Sequence, residues 1–319
     1  MKTLWRWAAA APLLAAPLGA GVAAGAGGGG GPGPGTAPQA AFSPSARTVP
    51  LVTERAVVSA PGYWTRERMA AAADGARAAE AAPDAGVAGM PWAGGGAVAR
   101  TTGRVFFTLN GTAYACSGSA VASAGQDVVM TAAHCVSDGA GHWATHWTFV
   151  PGYDDGREPY GSYPARSFYV PAPWSADANE NDDFAFVTVG PAQVNGAAQQ
   201  LGAAVGGQQI EFGSRAATEA VFGYPSEPPY NGQSLDYCQG ALQPDPFGFP
   251  DEGIGCTMTE GGSGGPWLSD FDPRTGLGVI TGVTTFRYSG ENLTLYSADL
   301  GTVAKALYDQ ASSGSASSG

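Results

Sequence analysis

The sequence is short of charge, short of histidine and short of long apolar runs. Only 13% of its residues are charged, which excludes long charged helices and coiled coils. Basic residues are scarcer than acidic ones: 15 Lys and Arg against 27 Asp and Glu, a net charge of −12 over 319 residues. The imbalance is uneven. Residues 1–100 carry eight basic and five acidic side chains, whereas residues 101–319 carry seven and 22, a balance of −15. A body of that charge repels phosphate backbones, so nucleic-acid partners are excluded. No stretch reaches the roughly 20 apolar residues that span a bilayer. No two of the four cysteines stand in C-x-x-C spacing, which argues against a zinc site. Only three histidines are present, His134, His142 and His146, so few roles can be spread across them.

Glycine and proline are plentiful, at 49 and 24 residues. The N-terminus has the three parts of a secretory signal: basic Lys2 and Arg6, apolar Trp7 to Leu18, and the small-residue site Ala24-Gly25-Ala26. Residues 1–26 are therefore expected to be a leader that directs the protein out of the cell. Residues 27–40 read as a Gly/Pro/Ala linker. Residues 27–100 read as a propeptide or N-terminal extension, with one helix expected over Arg66 to Ala82 and with Arg100 and Arg104 as candidate processing points. The tail 311–319 is Ser, Gly and Ala only and is expected to be disordered. Export fits the cysteines, because an even count in an exported chain reads as disulfides. Cys116, Cys135, Cys238 and Cys256 allow three connectivities. The sequential pairing is the simplest, and each loop would contribute about 3 kcal/mol.

From Gly103 short β-rich runs appear: Val105–Leu109, Val128–Thr131, Trp147–Val150, Phe184–Val189, Val279–Thr285 and Leu293–Ser297. Runs of this spacing, bounded by Gly, Pro, Asn and Asp, predict an all-β barrel or sandwich. The late helix expected is Gly301 to Gln310.

Three residues carry candidate chemistry. His134 ends an apolar strand, Val128 to Thr131, after two small alanines and directly before Cys135. That is a rigid mount for a general base. Ser263 lies in Gly261-Gly262-Ser263-Gly264-Gly265-Pro266-Trp267, where glycines let the backbone present Oγ. The N–H groups of Gly261 and Ser263 are then natural oxyanion-hole donors, each worth about 3–4 kcal/mol in a transition state. Asp183, preferred to Asp182 because it abuts the apolar strand, is placed to orient an imidazole. Gly261 to Gly265 also satisfies the G-x-S-x-G elbow of esterases, but that fold needs a histidine after the serine, and none follows Ser263. His142 and His146, four apart between tryptophans, read as packed loop residues rather than metal ligands.

Together the stretches Thr131-Ala132-Ala133-His134-Cys135, Asp183 and Gly262-Ser263-Gly264-Gly265-Pro266 resemble the chymotrypsin-like serine peptidases. The secreted bacterial branch that includes glutamyl endopeptidases is the most similar, over about residues 101–310. The resemblance implies two antiparallel six-stranded β-barrels, 101–205 and 206–310, with the active site between them and a short C-terminal helix. It implies an endopeptidase in which Ser263 attacks, His134 moves the proton and Asp183 holds the imidazole. It needs no metal or organic cofactor. It also implies polypeptide substrates, and the protein is expected to be a monomer, free of the membrane once the leader is removed. Two alternatives are a catalytically silent binding protein of the same fold and a serine esterase. Pocket positions implied by the family fall on Thr257, Thr284 and Phe286. Thr257 stands where trypsins carry Asp, and Thr284 where glutamyl endopeptidases carry His, so neither specificity is supported. Gly262 replaces the Asp that receives a new N-terminus in many relatives. Arg287 is read as a surface residue.

Overall fold

The computed structural model describes residues 2–3, 52–57, 59, 62–74, 88–194, 196–291 and 293–314. The expected linker 27–40, almost all of the leader and residues 315–319 lie outside them.

Six strands close the first barrel. They are Thr102–Leu109, Thr112–Val121, Val128–Thr131, Ala185–Val189, Tyr163–Pro171 and Thr145–Pro151. Each pairs antiparallel with the next, and the last pairs back onto the first. Alternation explains why the strands bury both faces. Val105, Phe107, Val129, Ala185 and Val187 fill the barrel interior. Their neighbours Phe106, Val128, Met130, Phe184 and Phe186 point the other way, because side-chain direction has a period of two. They meet Phe222, Leu268 and Ile280 of the second sheet in a shared core.

The second sheet curls through Glu252–Gly255, Thr294–Ser297, Leu277–Tyr288, Pro266–Asp272, Thr218–Gly223 and Asp236–Ala241. Among the described residues no ladder joins Asp236–Ala241 to Glu252–Gly255. The Cys238–Cys256 disulfide bridges that gap, with Cα atoms 5.7 Å apart. Cys116–Cys135 is the other bridge, at 6.3 Å, so the pairing is the sequential one. The interior of this half holds Val221, Ile254, Met258, Trp267 and Leu295.

The observed elements differ from the expected ones at their ends. The region before residue 101 contributes to the body. Val52–Ala56 adds a strand to the outer edge of Tyr163–Pro171. Helix Arg66–Asp74 buries Met69 completely; the rest of the expected helix, to Ala82, reaches past the described residues. Met90–Pro91 pairs with Asp236 and Tyr237. Trp92 packs on Phe222, Tyr237 and Phe271. Helix Gly96–Thr101 buries Ala97 and Val98. Arg104 is removed as a processing point: it is fully buried in a strand and donates to the Gly232 carbonyl at 2.6 Å. The tail is also redrawn. Helix Thr302–Gly314 runs past Gln310 because Ala304, Leu307 and Ala311 form one buried stripe.

Candidate active site

His134 sits in a single 3₁₀ turn, Ala133–Cys135, at the end of the buried strand Val128–Thr131. Two tryptophans pin this turn. Trp147 Nε1 donates to the Cys135 carbonyl at 3.1 Å, and Trp174 Nε1 donates to the Ser137 carbonyl at 3.2 Å. Sequence reading missed both clamps; the only signal was an indole near the histidine.

Asp183 is wholly buried at the mouth of strand Ala185–Val189. Its Oδ1 accepts the His134 backbone N–H at 2.9 Å, and its Oδ2 meets His134 Nδ1 at 2.7 Å. One carboxylate therefore fixes both the main chain and the ring of the same residue. A buried carboxylate facing Nδ1 makes that nitrogen the protonated one and leaves Nε2 as the base. Asp182 does not share this place. It accepts from Asn179 Nδ2 at 2.6 Å, and burial raises its pKa.

Ser263 belongs to the turn before strand Pro266–Asp272. Its carbonyl accepts the Ser117 N–H at 2.7 Å and lies 4.0 Å from Cys135 Sγ, beside His134. The chain is folded back this tightly because of its glycines. A Cβ on Gly264 would lie 2.2 Å from Thr131 Oγ1, and one on Gly265 would lie 2.0 Å from the Phe222 carbonyl. Ser117 Oγ donates to the Gly261 carbonyl at 2.7 Å and accepts from the Tyr224 N–H at 2.8 Å. Among the described residues the Ser263 hydroxyl has no hydrogen-bond partner, and the N–H groups of Gly261 and Ser263 meet no acceptor. The Ser263 turn thus keeps a hydroxyl and two N–H groups available to a ligand.

The expected pocket residues are all buried. Thr257 is buried, with its hydroxyl 2.8 Å from Tyr230 Oη and 3.3 Å from the Gly89 N–H. Thr284 Oγ1 accepts from the Trp267 indole at 3.0 Å. Phe286 packs as core, stacked on Tyr296 with ring centres 5.0 Å apart. Arg287 is not a surface residue. It is 7% exposed and donates to the carbonyls of Cys256 and Met258. A groove of about 550 Å³ lies alongside, lined by Asn179, Glu180, Asn181, Phe247, Phe249 and Tyr288.

The remaining histidines stand apart from this site. His142 pairs with Asp138 at 2.6 Å, and His146 stacks on Tyr63 at 3.6 Å. The one grouping of potential metal ligands among the described residues is Cys116, His134 and Cys135, and its sulfurs are bonded to each other.

Neither models of protein families nor curated protein sequences return a match. Solved structures do. The protease Anisep from Arthrobacter nicotinovorans is 37% identical, over 67% of this chain and 96% of that one, with a TM-score of 0.62. The thermostable serine protease AL20 from an extremophilic microorganism is 32% identical, over 68% of this chain and 99% of that one, with the same TM-score of 0.62. A Glu endopeptidase at 19% identity, covering 72% of this chain and 98% of that one, has a TM-score of 0.56 and shows the shared fold alone. With the buried His–Asp pair and the glycine-bound serine turn lying on two packed β halves, these likenesses make the chain a member of the chymotrypsin-like serine proteases.

Proposed function

We propose that this serine endopeptidase works through Ser263, His134 and Asp183, with the N–H groups of Gly261 and Ser263 as its oxyanion hole. The observation that carries the assignment is the double contact of Asp183 with His134. Both carboxylate oxygens are used on one buried residue pair, beside the turn that carries Ser263. The Asp183–His134 contacts support an acyl-transfer mechanism. Ser263 Oγ adds to the peptide carbonyl while His134 Nε2 takes its proton. The carbonyl oxygen becomes negative and is held by the two N–H groups. His134 returns the proton to the leaving amine, and an acyl ester on Ser263 remains. Water then adds by the same route in reverse. Asp183 stabilises the imidazolium and keeps its tautomer without taking the proton.

The leader pattern supports export as a precursor. We place any processing upstream of Gly89. Gly89 donates to Thr257 and Tyr230, and Met90 to Thr101 packs into the second half, so this segment belongs to the working enzyme. Substrates are polypeptides. The open groove between Asn179–Asn181 and the Phe247–Phe249 loop supports binding of an extended chain.

The test is a peptide-library digest read by mass spectrometry, wild type beside Ser263→Ala, with the purified protein's N-terminus sequenced. Cuts made only by wild type are expected, from a chain beginning at or before Gly89. Equal cutting by Ser263→Ala would overturn the assignment.

A further inference from the structure

The segment Tyr224 to Glu227 lies against the Ser263 turn and has no part in the chemistry described above. It grips one peptide of that turn, Glu260–Gly261. The Glu260 carbonyl accepts the Ser226 N–H at 2.6 Å and the Ser226 hydroxyl at 3.0 Å. In a trans peptide the C=O and the following N–H point in opposite directions. Anchoring the Glu260 carbonyl on Ser226 therefore turns the Gly261 N–H away from this segment. The contact is tight: a Cβ on Gly261, whose φ is +88°, would lie 2.5 Å from the Tyr224 carbonyl and 2.7 Å from Ser226 Oγ. Any shift of the segment is thus passed to Gly261.

Next door the two segments are tied again. The Glu227 N–H donates to Thr259 Oγ1 at 3.0 Å, and Thr259 Oγ1 donates to the Glu227 carbonyl at 3.1 Å. Beyond that tie Glu227 feels the carboxyl group of Glu260. Burial, then Glu260 itself, pushes Glu227 up to about 8, while Arg287 pulls the other way. Tyr230 and Glu291 also act on Arg287 in this cluster. Loss of the Glu227 proton leaves two negative charges across a joint that positions Gly261.

We propose that Ser226 and the Glu227–Glu260 carboxyl pair are positioning residues of the oxyanion turn. Ser226 aims the Gly261 N–H, and a protonated Glu227 leaves the Glu227–Thr259 tie undisturbed, so the enzyme loses transition-state stabilisation when the Glu227 proton leaves. The proposal rests on the reading of Gly261 as an oxyanion donor.

The experiment measures the rate at which a fluorophosphonate probe labels the full, processed enzyme between pH 6 and 10. The probe reports on the serine and its oxyanion donors without depending on the specificity pocket. Ser263→Ala serves as the control, and thermal midpoints establish folding. Removing a donor outright costs about 10²–10³-fold, so misaiming one in Ser226→Ala is expected to slow labelling by about tenfold or more, with recovery in Ser226→Thr. Wild type is expected to lose labelling rate above about pH 8. Glu227→Gln, which stays neutral at every pH, is expected to lack that fall. A merely structural Glu227 would lower the midpoint without changing the shape of the profile. Wild-type labelling by folded Ser226→Ala, or the same alkaline fall in Glu227→Gln, overturns the proposal. Labelling of Ser263→Ala would instead overturn the serine assignment beneath it. Should Ser226→Ala not fold, the Glu227→Gln profile decides alone.

Discussion

The two halves of the site are made rigid by opposite means. On the first barrel, His134 is fixed by an added group: a buried carboxylate grips its ring and its main chain. On the second, Ser263 is fixed by missing groups: Gly264 and Gly265 leave no side chain where Thr131, Ser117 and the Phe222 carbonyl come close. A general base must change charge in each cycle, so it needs a permanent counter-charge. A nucleophile with adjacent N–H donors needs a backbone shape, and only glycine lets the chain turn so sharply against its neighbours. The difference teaches that the base half is a matter of electrostatics and the nucleophile half a matter of space.

Substitutions on each half should break this contrast in different ways. The largest effect is expected from Ser263→Ala, a loss of kcat of about 10⁶-fold with an unchanged thermal midpoint, read by steady-state assay and calorimetry. Asp183→Asn is expected to cost about 10⁴-fold in kcat through the wrong imidazole tautomer. Its loss should appear in kcat and its fold should persist, as electrostatics predicts. Gly265→Ala should do the reverse. Its Cβ has 2.0 Å to the Phe222 carbonyl, so stability is expected to fall by about 1–3 kcal/mol from overpacking, with activity lost alongside. Denaturant midpoints would show it, and an alanine tolerated at full stability would break the spatial argument. Ser117→Ala is milder. It leaves the Gly261 carbonyl and the Tyr224 N–H without their hydroxyl partner, at about 1–3 kcal/mol.

The smallest effect is a slope with pH. Burial raises Asp236 from 3.8 to about 6, and burial with Glu260 raises Glu227 from 4.5 to about 8. The folded protein keeps protons that the unfolded chain has already released. These two groups therefore favour folding below about pH 4, and their contribution is lost as pH rises through 6 and 8. Thermal midpoints at pH 5, 7 and 9 should fall through this window. Asp236→Asn with Glu227→Gln should flatten the fall.

How legible the site was depends on how local its causes are. The motif around His134 is a strand end, two small residues and a cysteine, all consecutive. The turn around Ser263 is written in consecutive glycines. Asp183 could be named because it abuts a strand, although Asp182 has the same composition of neighbours. Ser117 and Ser226 could not be named. Ser117 reaches Gly261 across 144 residues and Ser226 reaches Glu260 across 34, and a lone serine in a loop carries no signal of either. The burial of Arg287 was misread because a charged residue near a strand end is usually solvated; here two carbonyls and nearby carboxylates receive it. The role of residues 52–101 was underestimated because the segment cannot form a core alone, and it instead completes edges supplied by strands far along the chain.

The sequence by itself determined the strand periodicity, the sequential cysteine neighbours, the excess of acidic over basic charge, and the candidates for base and nucleophile. Each of these is set by residues within a few positions of one another. Only the tertiary structure decided which carboxylate meets the histidine, where the N-terminal segment packs, which pocket residues turn inward, and how the Glu260–Gly261 peptide is aimed. Those outcomes depend on hydrogen bonds and close contacts between segments far apart in the chain, which the shared core of the two β halves brings together.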